Sequence, residues 1–339
     1  MLPMSAFAVE TNQEELSFAV SRASSCITKS QYVPQQGVTL SNSIPQYESI
    51  TGDLVANVYL IFDGSKHIGL VLVSSNGGKR FATAYLCNYP VLETAKSTGS
   101  SVVFYQENGC FTVYIDSKCF VLENPDNVLL SGVEKEQCGY RVVDAESVAL
   151  KQSRGGYYSV NVSYVANDED RDGDGLCWAA ALACKMNYQT GSSLTAMDVY
   201  ERCYEESTFL NRPKGNYRWY MKAADLYNFD LTYKDSPISS EGQIITYLRQ
   251  GKPIIMNVWR EVTSNERTVN NLEGNKIGHA VVMCGFSNED AAYYELELMD
   301  PNSSSRKYCS IEKDSFNNGL GFSYFNGYRT YDEWRDSYY

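Results

Sequence analysis

The chain has 339 residues, 43% of them apolar, which is enough for two domains with cores of their own. Lys and Arg number 29 against 41 Asp and Glu, a net charge of −12 with no basic stripe, so nucleic acid and anionic membrane are poor partners. No apolar run approaches the ~18 residues that a membrane span requires.

Ala6-Phe7-Ala8, preceded by apolar residues, reads as the end of a secretory signal. Residues 1–9 are therefore set apart, as the remnant of a signal peptide or as a disordered terminus, and on the first reading a secreted or cell-surface protein is expected. Residues 13–30 carry weak helical periodicity, after which the pattern changes to strands. Residues 57–62, 68–73 and 80–86 are β-rich runs separated by Asp63-Gly64 and Asn76-Gly77-Gly78, the pattern of an antiparallel meander. Residues 101–105, 109–115 and 118–122 form a second set of three. Residues 10–150 thus read as a β-rich N-terminal domain with one helix and no clustered catalytic groups. His67, between two apolar strands, reads as a hairpin surface position. None of the ten cysteines forms a C-x-x-C pair, which argues against a zinc ribbon or a thioredoxin-like redox site. In an exported protein Cys110 and Cys119 are candidates to bridge adjacent strands.

The paired glycines Gly155-Gly156 place a linker at 151–158, ahead of a second domain at 159–339. Residues 160–165 alternate as a short strand, and an acidic loop follows at 167–175. A helix starts at Cys177, with Trp178, Ala181, Leu182 and Met186 on one buried face. Thr195 and Asp198 are spaced as a capping pair for a second helix, and Ser240 opens a third that Gly251 and Pro253 stop. Strands are expected at 253–259, 279–286 and 293–299. Helices first and antiparallel sheet after make an α+β domain.

Cys177 falls in the first helical turn, where free N–H groups and the helix dipole favour a thiolate. A nucleophilic thiol needs a base, and a base needs a group that orients it. The chain has two histidines, and His279 begins a strand after Gly278. The hairpin 279–299 would return Asp300 to the side of His279, where a carboxylate would fix the imidazole tautomer.

Cys177-Trp178-Ala179-Ala180, Gly278-His279-Ala280-Val281-Val282 and Asp300-Pro301 resemble the papain-like cysteine peptidases. Within that group the resemblance is to bacterial streptopain, staphopain and bacteriocin-leader peptidase-like domains, over about residues 157–330. It implies a papain-like domain, a helical part packed on antiparallel sheet. It also implies Cys177 as nucleophile, His279 as general base and acid, Asp300 as orienting carboxylate, a protein or peptide substrate, and no metal or organic cofactor. The family's oxyanion glutamine is missing between Gln152 and Cys177, and Asn167 is the side-chain amide placed to stand in for it. Residues 57–86 are similar to streptopain-type propeptides, which implies a zymogen whose N-terminal domain binds the catalytic cleft in cis and is released within 145–160.

Asp168, Asp170, Asp172 and Gly173 match the first half of a calcium loop, but position 12 is Ala179, which excludes a complete EF-hand. A solvated acidic loop is the default there. Two rivals share the residues: another thiol acyl-transfer enzyme, deamidase- or transglutaminase-like, and an inert binding protein on the same fold.

Overall fold

The computed structural model describes residues 12–48, 52–76, 79–107, 110–116, 118–122, 129–130, 140–150, 156–167, 175–204, 215–238, 240–261, 276–317, 324–325, 330–331 and 333–339. The chain divides into two compact units, one of Met1–Ser153 and one of Arg154–Asn326 with Thr330–Tyr339.

In the first unit, helix α1 spans Gln13–Lys29 and is capped by Asn12, whose side chain accepts from the Glu14 N–H at 3.0 Å. Its buried positions Leu16, Ala19, Ala23, Cys26 and Ile27 make one helical face. That face packs against β4 (Lys66–Asn76) and β5 (Lys79–Leu86), which continue antiparallel from β3 (Leu54–Asp63). A parallel pairing joins β2 (Ile44–Glu48) to β6 (Ser101–Glu107). From β6 the sheet runs on antiparallel through β7 (Cys110–Ile115) and β8 (Lys118–Val121).

Three expectations for this unit are corrected. A second helix, α2, spans Pro90–Thr98, with proline in its first turn and Gly99 closing it at φ 67°. Both signals are local and readable. His67 is fully buried rather than at a hairpin surface, between the rings of Phe62 and Tyr89. The pairing of Cys110 with Cys119 also fails. Cys119 lies opposite Tyr114, four residues along the strand from Cys110. That offset is roughly 13 Å at the rise of a strand, and a disulfide requires Cα atoms within about 7 Å.

The second unit is built on helix α3, Cys177–Thr190, which Gly191 ends at φ 72°. The expectation of a single buried face understates it. Trp178 through Met186 are buried without a break, so the helix is central and apolar all round. Lys185 is the exception, and its ammonium donates to the Pro253 carbonyl at 2.7 Å. Helices α4 (Ala196–Tyr204), α5 (Tyr217–Leu226) and α6 (Glu241–Arg249) also belong to this unit. Thr195 and Asp198 cap α4 reciprocally, with Thr195 N–H on Asp198 Oδ2 at 2.8 Å and Asp198 N–H on Thr195 Oγ1 at 3.1 Å.

The sheet of this unit is antiparallel throughout its described pairs. Strand β14 (Ile254–Glu261) pairs on one side with β15 (Lys276–Ser287) and on the other with β20 (Glu333–Tyr338). Strand β15 leads on to β16 (Tyr293–Met299) and β17 (Lys307–Glu312). The strand expected at 160–165 is absent. The strand there is β12, Tyr157–Ser159, on the far end of β15, and the chain leaves the sheet at Val160. Among the described residues no helix is long and apolar enough to cross a membrane.

Candidate active site

Three elements deliver the candidate side chains. Cys177 is the first residue of α3, and the preceding Leu176 gives the helix no side-chain cap. The first-turn N–H groups are thus left without a capping side chain, and no acidic side chain offsets the dipole there. His279 lies on β15 opposite Val258, and its neighbour Gly278 lies opposite Trp259. A Cβ on Gly278 would come within 3.1 Å of the Trp259 ring, so the backbone approaches that indole more closely than a side chain would allow. Asp300 follows the end of β16, whose last residue Met299 is opposite Val282. The hairpin thereby returns the carboxylate to the histidine.

Nε2 of His279 and Oδ1 of Asp300 are 2.8 Å apart, with side chains 4% and 0% exposed. A fully buried carboxylate in this position favours a charged imidazole. The ring also stacks on Tyr331, centroids 5.3 Å apart. Nε2 is held by Asp300, and the imidazole and the Cys177 thiol are close enough to shift one another. Burial opposes a charged imidazole, yet the Asp300 carboxylate, the hydrogen bonds and Tyr331 together raise His279 well above its usual value. Burial likewise opposes a charged sulfur at Cys177. The hydrogen bond and charge of His279, with a backbone hydrogen bond at Ala280, prevail and hold the thiol below its ordinary range. The two shifts are coupled, each group favouring the charged form of the other. Cys184, two turns along α3, is driven the other way: burial pushes its thiol up to about 12.

Asn167 is brought to the Asp300 turn rather than left in a free loop. Its backbone N–H donates to the Pro301 carbonyl at 2.8 Å and its Nδ2 to Asn302 Oδ1 at 2.6 Å. A Cβ on Gly175, two residues before Cys177, would stand 3.3 Å from that Nδ2. The amide is therefore packed against the chain that enters α3.

A buried network lies beside α3. Tyr220 of α5 meets the Trp178 ring edge to face at 5.7 Å and donates its hydroxyl to Asn257 Oδ1 at 3.0 Å. Asn257 Nδ2 in turn donates to Asp336 Oδ1 at 2.8 Å. None of Tyr331, Tyr220, Asn257, Asp336 or Asn302 stands out in the sequence. Only Asn302, beside Asp300-Pro301, has a positional signal. The half calcium loop lies at 168–174, outside the described residues. Among the described residues no cluster of three or more His, Cys, Asp or Glu could hold a metal ion.

A helix-borne thiol near an imidazole on an adjoining sheet is an arrangement that thiol-dependent hydrolysis can use. The model of the Peptidase_C39 like family matches residues 159–329, and the chain belongs to that family. None of the curated proteins compared with the chain matches it.

Proposed function

We propose that the chain is a papain-like thiol peptidase acting through Cys177, His279 and Asp300. The observation that carries the reading is the placement of His279, whose Nε2 is 2.8 Å from Asp300 Oδ1 and whose ring lies near enough to Cys177 to lower its thiol. In this reading the Cys177 thiolate attacks a peptide carbonyl and forms a tetrahedral oxyanion. His279 gives its proton to the departing amine as the thioester forms, then takes one from the water that hydrolyses it. Asp300 holds the tautomer and the charge of the ring. Asn167 serves as the side-chain oxyanion donor, alongside the free backbone N–H of the α3 first turn. The substrate is a protein or peptide, and the residues named supply acid, base and nucleophile.

The same reading extends to the N-terminal unit as an inhibitory pro-domain of a secreted enzyme, a role suggested by its β-rich pattern and by Ala6-Phe7-Ala8. Incubating the full chain beside its Cys177→Ala variant tests self-processing. New fragments from the unaltered chain alone support it, and identical patterns defeat it.

The test of the activity is digestion of unfolded casein followed by mass spectrometry. New peptide termini that vanish in Cys177→Ala establish hydrolysis. A one-dalton gain at glutamine without new termini would assign the site to deamidation instead. Labelling by a vinyl-sulfone probe separates both from an inert fold. Cys177 should react and Cys184 should not, and equal reactivity of the two would end the catalytic reading.

A further inference from the structure

The Asp300-Pro301-Asn302 turn does more than return a carboxylate to His279. Asn302 Oδ1 accepts from Asn167 Nδ2 at 2.6 Å, while the Asn302 N–H donates to Asp300 Oδ1 at 2.8 Å. That same Asp300 oxygen is the partner of His279 Nε2. Asn302 therefore touches both the carboxylate behind the base and the amide beside the nucleophile helix.

An asparagine amide can turn over and exchange its nitrogen for its oxygen, and its neighbours decide which faces where. Asn167 Oδ1 is buried with no hydrogen-bond partner among the described residues. A buried acceptor in that state is costly and favours rotation. In the orientation the structure gives Asn302, its oxygen opposes that rotation, because a reversed Asn167 amide alone would set oxygen against oxygen. The Asn167 backbone is held separately. Its N–H donates to Pro301 O at 2.8 Å, and the Tyr164 hydroxyl donates to the same carbonyl at 3.1 Å. Removing the Asn302 side chain thus frees the Asn167 amide without freeing its main chain.

We propose that Asn302 is a positioning residue that keeps the Asn167 amide turned so that its N–H groups, not its oxygen, face the oxyanion formed at Cys177. The inference rests on the roles of Cys177, His279 and Asn167 given above. It adds that the oxyanion donor and the base-orienting carboxylate are set by one turn.

Two assays on the full chain separate the parts. Iodoacetamide alkylation of Cys177 forms no tetrahedral oxyanion, so its rate reports the thiol–imidazole pair alone. Turnover of p-nitrophenyl acetate passes through an oxyanion and needs no extended peptide subsites. Asn302→Ala should lower kcat for the ester by about 10- to 100-fold, with KM nearly unchanged. The alkylation rate and its pH profile should stay as in the unaltered chain, which also shows that the variant is folded. In an Asn167→Ala background, Asn302→Ala should cost less than about twofold more, because it acts through that amide. Unchanged kcat, a parallel fall in alkylation, or a full second loss in the Asn167→Ala background each overturns the inference. Absence of Cys177-dependent ester turnover, or an unreactive Cys177, overturns the underlying reading and the inference with it.

Discussion

His279 Nε2 and Asp300 Oδ1 meet at 2.8 Å in an interior that water scarcely reaches, 21 residues apart along one hairpin. A buried carboxylate without a partner is strongly disfavoured, and so is a buried imidazolium. Each therefore supports the charged form of the other.

Replacing Asp300 by Asn keeps the shape and removes the charge. The pH profile of kcat/KM in the unaltered chain should be bell-shaped, with an acid limb lowered by the Cys177 shift and an alkaline limb raised by the His279 shift. In Asp300→Asn the alkaline limb should move to lower pH, because the first support of the imidazolium charge is gone. Activity at neutral pH should fall by about 10²–10⁴. An unmoved alkaline limb would show that another group holds the imidazole.

Asp336 gives a stability prediction near the same site. Burial pushes its carboxyl up to about 6, with Asp235 adding to the effect and Asn257, Arg335 and Tyr338 opposing it. Folding therefore favours the protonated form, so its stabilisation is complete below about pH 4 and lost as pH rises through 6. Asp336→Asn retains an acceptor for the Asn257 amide. It should stabilise the chain at pH 8 by about 1–3 kcal/mol and leave it little changed at pH 4, read from urea midpoints.

His67 predicts the opposite slope. Its burial lowers the imidazole from 6.5 to about 3, while Nδ1 accepts from the Tyr89 N–H at 3.2 Å. The unfolded chain takes up a proton that the folded chain refuses. Stability is thus present above pH 6.5 and is lost, by about 1.4 kcal/mol per pH unit, as pH falls toward 3. His67→Phe should cost about 1 kcal/mol at pH 8 through the lost hydrogen bond. It should also flatten the acid slope. Parallel slopes for the two chains would refute the assignment.

Lys185 offers a fourth test. It is fully buried and lowered to about 7, chiefly by burial and also by Lys252, with the Pro253 carbonyl as its hydrogen-bond acceptor. Lys185→Met keeps the length without the charge. It should be neutral to stabilising by about 1–2 kcal/mol at pH 6, and progressively less so up to pH 10. Thermal unfolding across that range measures it.

Much of this molecule was legible from local pattern. Caps at Thr195 and Ser240, the apolar run into α3 and the length of β16 all express free energies that act over a few residues. Cys177 at a helix start and His279 at a strand were therefore within reach of sequence reasoning. Other features depend on neighbours distant in sequence. The burial of His67, the all-round burial of α3, the register that separates Cys110 from Cys119 and the early exit of the chain at Val160 belong to that group. So do Tyr331 against the imidazole and the Asn257–Asp336 contact.

The sequence by itself determined on which elements the candidate side chains ride, because helix propensity, capping and strand alternation are short-range. Only the tertiary structure decided their charges and partners. Strand register and burial set which dipole faces which, and in a dry interior those contacts, rather than residue type, determine where a proton resides.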